Sequence, residues 1–276
     1  MTIMEQQELR KAWDGIAAGY DRFVTPSHMW LGHEAATRAG VAPGQRFLDV
    51  AAGSGALAIP AARLGARVLA TDLSPEMVQR LAARAREEGL EGFECRVMDG
   101  HDLELEENTF DVAGSQFGVM LFPDLPRALA EMTRVTKPGG RVLLVVFGPP
   151  TQVEFLGFFI GAIQAVVPGF TGLPLDPPPL PFQVAAPEKL RAALADAGLQ
   201  EITLDSVTER LEFESAAEMW DWVTNSNPIG AGLVADLTEA QRAEVRSALD
   251  GLLRERSGGA GPAVLTSPIL IGIGSK

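Results

Sequence analysis

The 276-residue chain is poor in several kinds of chemistry. It has one cysteine, three histidines and one tyrosine. A single thiol, Cys95, excludes an intramolecular disulfide and a thiolate metal cluster, and inside the strand-like "GFECRVMD" it is expected to be a buried, inert thiol. Basic residues are scarce: 23 Lys and Arg against 36 Asp and Glu give a formal net charge of −13. With no Lys/Arg run to offset that average, a phosphate backbone would be repelled, which argues against nucleic acid as a partner. The N-terminal "MTIMEQQELRK" has no apolar signal core. The longest greasy stretch, Val153–Val167, is interrupted by Glu154 and Gln164 and is too short for a membrane span. A reduced, cytoplasmic setting is the expectation; the number of copies in an assembly stays open, a homo-oligomer included.

What the chain does contain is an alternation of short apolar strands and helices from about Gly44 to Phe147. "RFLDVAA", "RVLATDL", "FECRVMD", "FDVAGSQFGV" and "RVLLVVF" read as strands. Between the second and third, Ser74, Pro75 and Gly89 mark the cap, first turn and stop of a helix. Strands alternating with helices predict a parallel sheet with right-handed crossovers. Beyond Phe147 comes a Pro/Gly-rich excursion ending in "PGFTGLPLDPPPLPFQ", then a helix, a sixth strand over 200–213, two more helices, and a last strand near Leu265–Ile273. That last strand should run antiparallel, and its Pro268 and glycines suit an edge or a bulge. The predicted class is α/β: a doubly wound, seven-stranded, mostly parallel sheet with a helical cap. The expected division is a cover over 1–40, a core over 41–148, a cap from 149–186 and 214–257, and the rest of the sheet from 187–213 and 258–276.

Chemistry concentrates where the first strand meets its helix, in "LDVAAGSGALA". Gly53 and Gly55 permit positive φ and let backbone N–H groups touch a ligand. Asp72, at the tip of the second strand, is placed to accept the hydroxyls of a ribose. The plainer reading is a tight turn with Asp72 capping a helix. Residues 53–58 also match G-x-G-x-x-A, the dinucleotide pattern. Against a dinucleotide stands Asp49, an acid inside a strand that such sites usually keep apolar.

"LDVAAGSGALA" resembles the first motif of class I S-adenosylmethionine-dependent methyltransferases, with Ala51 where that family most often has glycine. "VLATDLSPEMV", "VMDGHDLELEENTFDVA" and "ALAEMTRVTKPGGRVLLVVF" follow in the family's order. "WDGIAAGYDRF" is similar to the N-terminal helix of the ubiquinone/menaquinone-biosynthesis C-methyltransferases and their small-molecule relatives. The resemblance covers about residues 10–148 and identifies fold and cofactor, not substrate.

It implies S-adenosylmethionine as cofactor, with Ala51, Gly53, Ser54 and Gly55 bordering its methionine and ribose and Asp49 near its ammonium. Asp72 would take the ribose hydroxyls, while Leu73 and Met77 pack near the adenine. Asp99 would accept from the adenine amino group, with Gly100 and His101 along the same edge, though His101 equally suits a solvated loop. Ser115 and Gln116 fall where the family meets methionine and substrate; Gln116 bonded to backbone is the alternative. Tyr20 either covers the cofactor or merely closes its helix onto the body. His33 either faces the pocket as a base or lies on the surface. Tyr20, His33 and Gln116 are thus the candidate catalytic residues.

Methyl transfer is an in-line displacement at carbon, so orientation supplies much of the acceleration. No His/Asp/Glu cluster has metal-ligand spacing, and a metal-free reaction is expected. Phe155, Phe158, Phe159, Phe170 and Phe182, with Met219, Trp220 and Trp222, are either cap core or the wall of a site for a small, largely apolar acceptor. Other readings are a cyclase or accessory protein on the same fold and, from G-x-G-x-x-A alone, an NAD-dependent oxidoreductase.

Overall fold

The computed structural model describes residues 3–174, 176–226 and 228–276, with side chains from residue 7 onward and not at 228. The chain opens with α1 (Ile3–Gly19), a single π-helical turn (Tyr20–Val24) and α2 (Thr25–Arg38). Then follow β1 (Arg46–Val50), α3 (Ala58–Arg63), β2 (Arg67–Asp72), α4 (Pro75–Glu87), β3 (Phe93–Val97) and β4 (Phe110–Gln116). Next come α5 (Leu125–Val135), β5 (Thr136–Phe147), α6 (Glu154–Val166), α7 (Pro187–Asp196) and β6 (Gln200–Phe213). The chain ends with α8 (Ala216–Ser226), α9 (Pro228–Leu233), α10 (Glu239–Ser257) and β7 (Ala263–Ser275).

The seven strands form one sheet in the order β3-β2-β1-β4-β5-β7-β6. Every pairing from β3 to β5 is parallel, and β7 runs antiparallel to both neighbours. The order reverses between β1 and β4, so a crevice opens where these strands end, at Val50 and Gln116. α3 and α4 pack on β1–β3, and α5 and α7 pack on β4–β7.

The local signals act as physics requires. Ser74 Oγ accepts from the Met77 amide at 3.1 Å and starts α4. Thr238 and Gln241 form a reciprocal capping box on α10, and Gly258 closes that helix at φ +65°. α5 stops at Val135, short of the glycines at 139–140. Thr136 already pairs with Phe110, and the next residues bulge before pairing resumes at Arg141.

β7 is not an edge strand. Its Pro268 is tolerated because β5 pairs only as far as Phe147 with Ile269, leaving no partner that needs a Pro268 N–H. The Pro268 carbonyl instead accepts from Gly148 at 2.7 Å. Cys95 is half-buried rather than enclosed, and its surroundings push the thiol up to about 11, which keeps it unreactive.

Two hydrophobic clusters divide the interior. One fills both sides of the sheet, from Leu31 and Phe47 to Leu143 and Ile271. The other joins Phe159 of α6, Met219 of α8 and Leu249 of α10 to Leu211, Phe213, Ala263 and Leu265. Those last four lie where β6 and β7 pair with each other beyond the end of β5. The long hairpin therefore carries the cap out over the crevice.

Candidate active site

A cavity of about 390 Å³ fills the crevice. One end is bounded by Ala51, Gly53, Asp72, Leu73, Met77 and Asp99. The other is closed by Phe117, Phe147, Phe155, Leu180, Pro181 and Trp222. α1 and the π turn roof the first end with Trp13 and Tyr20.

The glycine turn is shaped by backbone chirality. Ala51 (φ +55°), Gly53 (φ +54°) and Gly55 (φ +107°) all have left-handed backbone. A methyl added at Gly53 would come within 3.0 Å of the Tyr20 ring, so glycine is what lets the aromatic roof close. At Gly55 the added methyl would strike Leu81 at 2.4 Å, so that glycine serves the packing of α4 rather than the cavity wall. Ser54 is also away from the wall. Its hydroxyl lies 2.5 Å from Thr25 Oγ1 and ties α2 to the turn. Ala51 holds a conformation that glycine would adopt freely, and its methyl occupies space left by Gly118.

Asp72 accepts from the Gly53 amide at 2.8 Å through Oδ2 and from the Ser74 amide at 2.9 Å through Oδ1. It both caps the turn and borders the cavity, so the two readings of it are compatible. Burial raises its pKa to about 6, against the lowering effect of the Ser74 and Gly53 amides. Asp49 is 1% exposed, and neither carboxylate oxygen has a hydrogen-bond partner among the described residues. Burial raises its pKa well above the ordinary carboxylate value; the Ala58 amide, facing it without a well-formed hydrogen bond, offsets part of that, and Asp72 adds to it. The same burial, with Asp72 and Asp49 nearby, drives the Tyr20 hydroxyl upward. Tyr20 is thus a permanent proton donor and not a base.

Beside the adenine-side candidates, His101 stacks on Phe122 at 4.5 Å and its Nδ1 lies 2.9 Å from Asp99 Oδ1. Gly100 sits where an added methyl would strike Phe122 and Val50. Ser115 is buried away from the cavity. Its hydroxyl donates to Val50 O at 2.7 Å and accepts from the Val119 amide, locking β4 to β1.

The two histidines of α2 divide between surface and cavity. His33 is exposed on α2, outside the cavity wall. His28, for which the sequence suggested nothing, lines the cavity and is 2% exposed. Its Nε2 lies 2.5 Å from Glu209 Oε1 on β6, and its Nδ1 lies 2.8 Å from Val24 O. Helical phase held the missing signal. His28 shares a face with buried Val24, Leu31 and Ala35, and His33 does not.

Comparison with known proteins bears on this arrangement. Residues 48–144 match the family model described as a methyltransferase domain. A demethylmenaquinone methyltransferase of Streptomyces griseus is 32% identical over 170 residues, 59% of this chain and 71% of that protein. The chain belongs to the class I S-adenosylmethionine-dependent methyltransferase family.

An uncharacterized protein of Mycobacterium tuberculosis is 38% identical over 149 residues, 54% of this chain; the chain spans about half, 52%, of that relative's length. Among solved structures, the YcgJ protein of Bacillus subtilis superposes with a TM-score of 0.57 at 17% identity, covering 90% of this chain and 97% of that one, a likeness of fold. Family membership removes the NAD reading of G-x-G-x-x-A.

The residues present suit the family's cofactor. It carries a sulfonium and an ammonium, and the crevice floor holds the orphaned acid Asp49 together with Asp72. Asp72 keeps lone pairs beyond the two it gives to amides, as a ribose diol requires.

Proposed function

We propose that this protein transfers a methyl group from S-adenosylmethionine to a small, largely apolar acceptor. The observation that carries the reading is the continuity of the cavity, from Asp72 and Gly53 at one end to Phe147, Phe155 and Trp222 at the other. Bound there, the cofactor would supply an electrophilic methyl on a sulfonium, with a neutral thioether as the leaving group when an acceptor lone pair displaces it.

The chain's own contribution is holding and drying. Asp72 holds the ribose, Leu73 and Met77 flank the adenine, and Asp99 with His101 borders its edge. Asp49 serves the methionine side through its field, since it lies below the cavity wall, and Gln116 faces the acceptor. Tyr20 roofs Gly53, and residues 149–186 and 214–257 close the acceptor end against water. Of the candidate lid aromatics, Phe155 and Trp222 reach the cavity, whereas Phe159 and Met219 are fully buried in cap core. Tyr20 stays protonated, His33 is outside the cavity wall and both His28 nitrogens are engaged, so this reading has the acceptor give up its proton to solvent before the cap closes or after it reopens.

Calorimetry with S-adenosylhomocysteine and with NAD, followed by radiolabelled methyl transfer to a panel of apolar acceptors, tests it. The expected result is tight binding of the first and none of the second. Absence of S-adenosylhomocysteine binding overturns the reading.

A further inference from the structure

The acceptor end of the cavity is apolar except for a few groups, and one of these is incompletely satisfied. Gln116 lines the cavity at the end of β4 and is 6% exposed. Its Nε2 donates to the His28 carbonyl at 3.2 Å, while its Oε1 is buried and has no hydrogen-bond partner among the described residues. A carbonyl only accepts, so the bond to His28 fixes which way the amide faces. The oxygen is left as the free end.

The orientation is held from behind. His28 Nδ1 must donate to Val24 O, and His28 Nε2 lies against Glu209 Oε1 in a buried ion-pair contact. The His28 ring also meets Phe117 edge-on at 5.2 Å. The His28 carbonyl therefore cannot move away from Gln116 without disturbing the π turn, β6 and the aromatic wall.

We infer that Gln116 Oε1 is a specificity anchor that selects acceptors bearing an O–H or N–H donor within an otherwise apolar body. A buried acceptor atom left unpaired is costly, so a ligand that supplies a donor is favoured over one of equal shape that does not. His28 and Glu209 are positioning residues in this arrangement. The inference rests on the methyltransferase reading for its substrate sense, but its test stands apart from that reading.

The test uses the full chain saturated with S-adenosylhomocysteine and two matched probes, 2-naphthol and 2-methoxynaphthalene, titrated by calorimetry. The naphthol is expected to bind about tenfold or more tighter than its ether. Equal binding, tighter binding of the ether, or no binding of either overturns the anchor, and none of these outcomes needs a variant. In Gln116→Met, of similar volume, the preference should collapse to within about twofold while S-adenosylhomocysteine affinity holds. Thermal unfolding confirms that this variant is folded, and Gln116→Leu is the substitute if it is not. Persistence of the preference in the variant overturns the proposal. So does loss of S-adenosylhomocysteine affinity with the preference intact, which would give the oxygen to the cofactor's ammonium. Failure of the wild type to bind S-adenosylhomocysteine at all strikes the methyltransferase reading instead, and the probe preference is then read on the unliganded chain.

Discussion

His28 Nε2 and Glu209 Oε1 lie 2.5 Å apart, with side chains 2% and 1% exposed, joining the second helix to the edge strand of the sheet across the acceptor end of the cavity. Burial disfavours the imidazolium, but the Glu209 charge and hydrogen bond outweigh it and the His28 pKa is raised above 6.5. Removing one member of such a pair strands the other. Glu209→Gln is therefore expected to destabilise the fold by about 3–5 kcal/mol in denaturant titration. The raised pKa sets the sign of a pH effect. The contribution is complete below the unfolded value of 6.5 and is lost as pH climbs through the folded one. Wild-type stability should thus fall on the alkaline side of 6.5, and His28→Gln should flatten that fall. A wild-type curve level from pH 6.5 to 9 would refute the assignment.

Asp72 gives the opposite kind of profile, in binding rather than in stability. With a pKa near 6, its carboxylate is largely protonated at pH 5, and a protonated group accepts ribose hydroxyls poorly. Affinity for S-adenosylhomocysteine should rise about tenfold per pH unit up to 6 and level off above it. Asp72→Ala should lose about 1–3 kcal/mol of binding at pH 8 and show a shallower pH dependence. Wild-type affinity in that variant would remove Asp72 from the ribose.

Ala51 and Gly118 make a coupled pair. A methyl added at Gly118 would lie 2.6 Å from Ala51 Cβ, 2.8 Å from Ala51 O and 2.8 Å from Ser115 Oγ. Gly118→Ala should accordingly lower the melting temperature markedly. Ala51→Gly removes one of these three collisions and about 1–2 kcal/mol of left-handed strain, offset by about 0.5–1 kcal/mol of added chain entropy. Ala51→Gly alone should be near neutral, and it should recover part of the loss in the double variant. Strict additivity of the two changes would show that the methyls do not meet.

The sheet was legible because its signals are local: apolar runs of strand length, Ser74 and Gly89 around one helix, and Asp49 and Asp72 at strand tips. What escaped depends on distance in sequence. Glu209 follows His28 by 181 positions, and no periodicity near either residue announces the partner. The difference between His28 and His33 was hidden for another reason. Both histidines sit on one helix, and only phase relative to Leu31 and Ala35 separates the buried one from the exposed one. Pro268 misled because proline reports a missing donor, not the strand's place in the sheet. β7 could lie inside because its neighbour ended first. Ser54, Gly55 and Ser115 carried the motif's pattern but bond or pack against α2, α4 and β1, a distinction that spacing does not encode.

The N-terminal cover is where structure changes the expectation most usefully. Trp13, Ile16, Ala17 and Tyr20 share a face, as their spacing predicts; Ala17 is buried and Tyr20 lies over Gly53. Beside that face, Asp14 and Asp21 are latches. Ser74 Oγ donates to Asp14 Oδ1 at 2.5 Å, and Arg84 Nη2 lies 2.5 Å from Asp21 Oδ1, with Arg80 at 3.7 Å. These pairs are partly exposed, so each holds the cover by only about 0.2–1 kcal/mol. A segment held so lightly opens on its own, and a ligand beneath it shifts the balance toward closure. S-Adenosylhomocysteine should therefore slow amide exchange across residues 10–24. Asp21→Asn should speed exchange there a few-fold in the free protein, with less effect once ligand is bound. Tyr20→Phe keeps the ring over Gly53 and should keep the fold, while the lost hydroxyl lowers turnover. Deletion of residues 1–22 should abolish transfer and leave the sheet folded. If exchange is indifferent to ligand and the deletion retains activity, the cover is packing alone and Tyr20 has no part in the reaction.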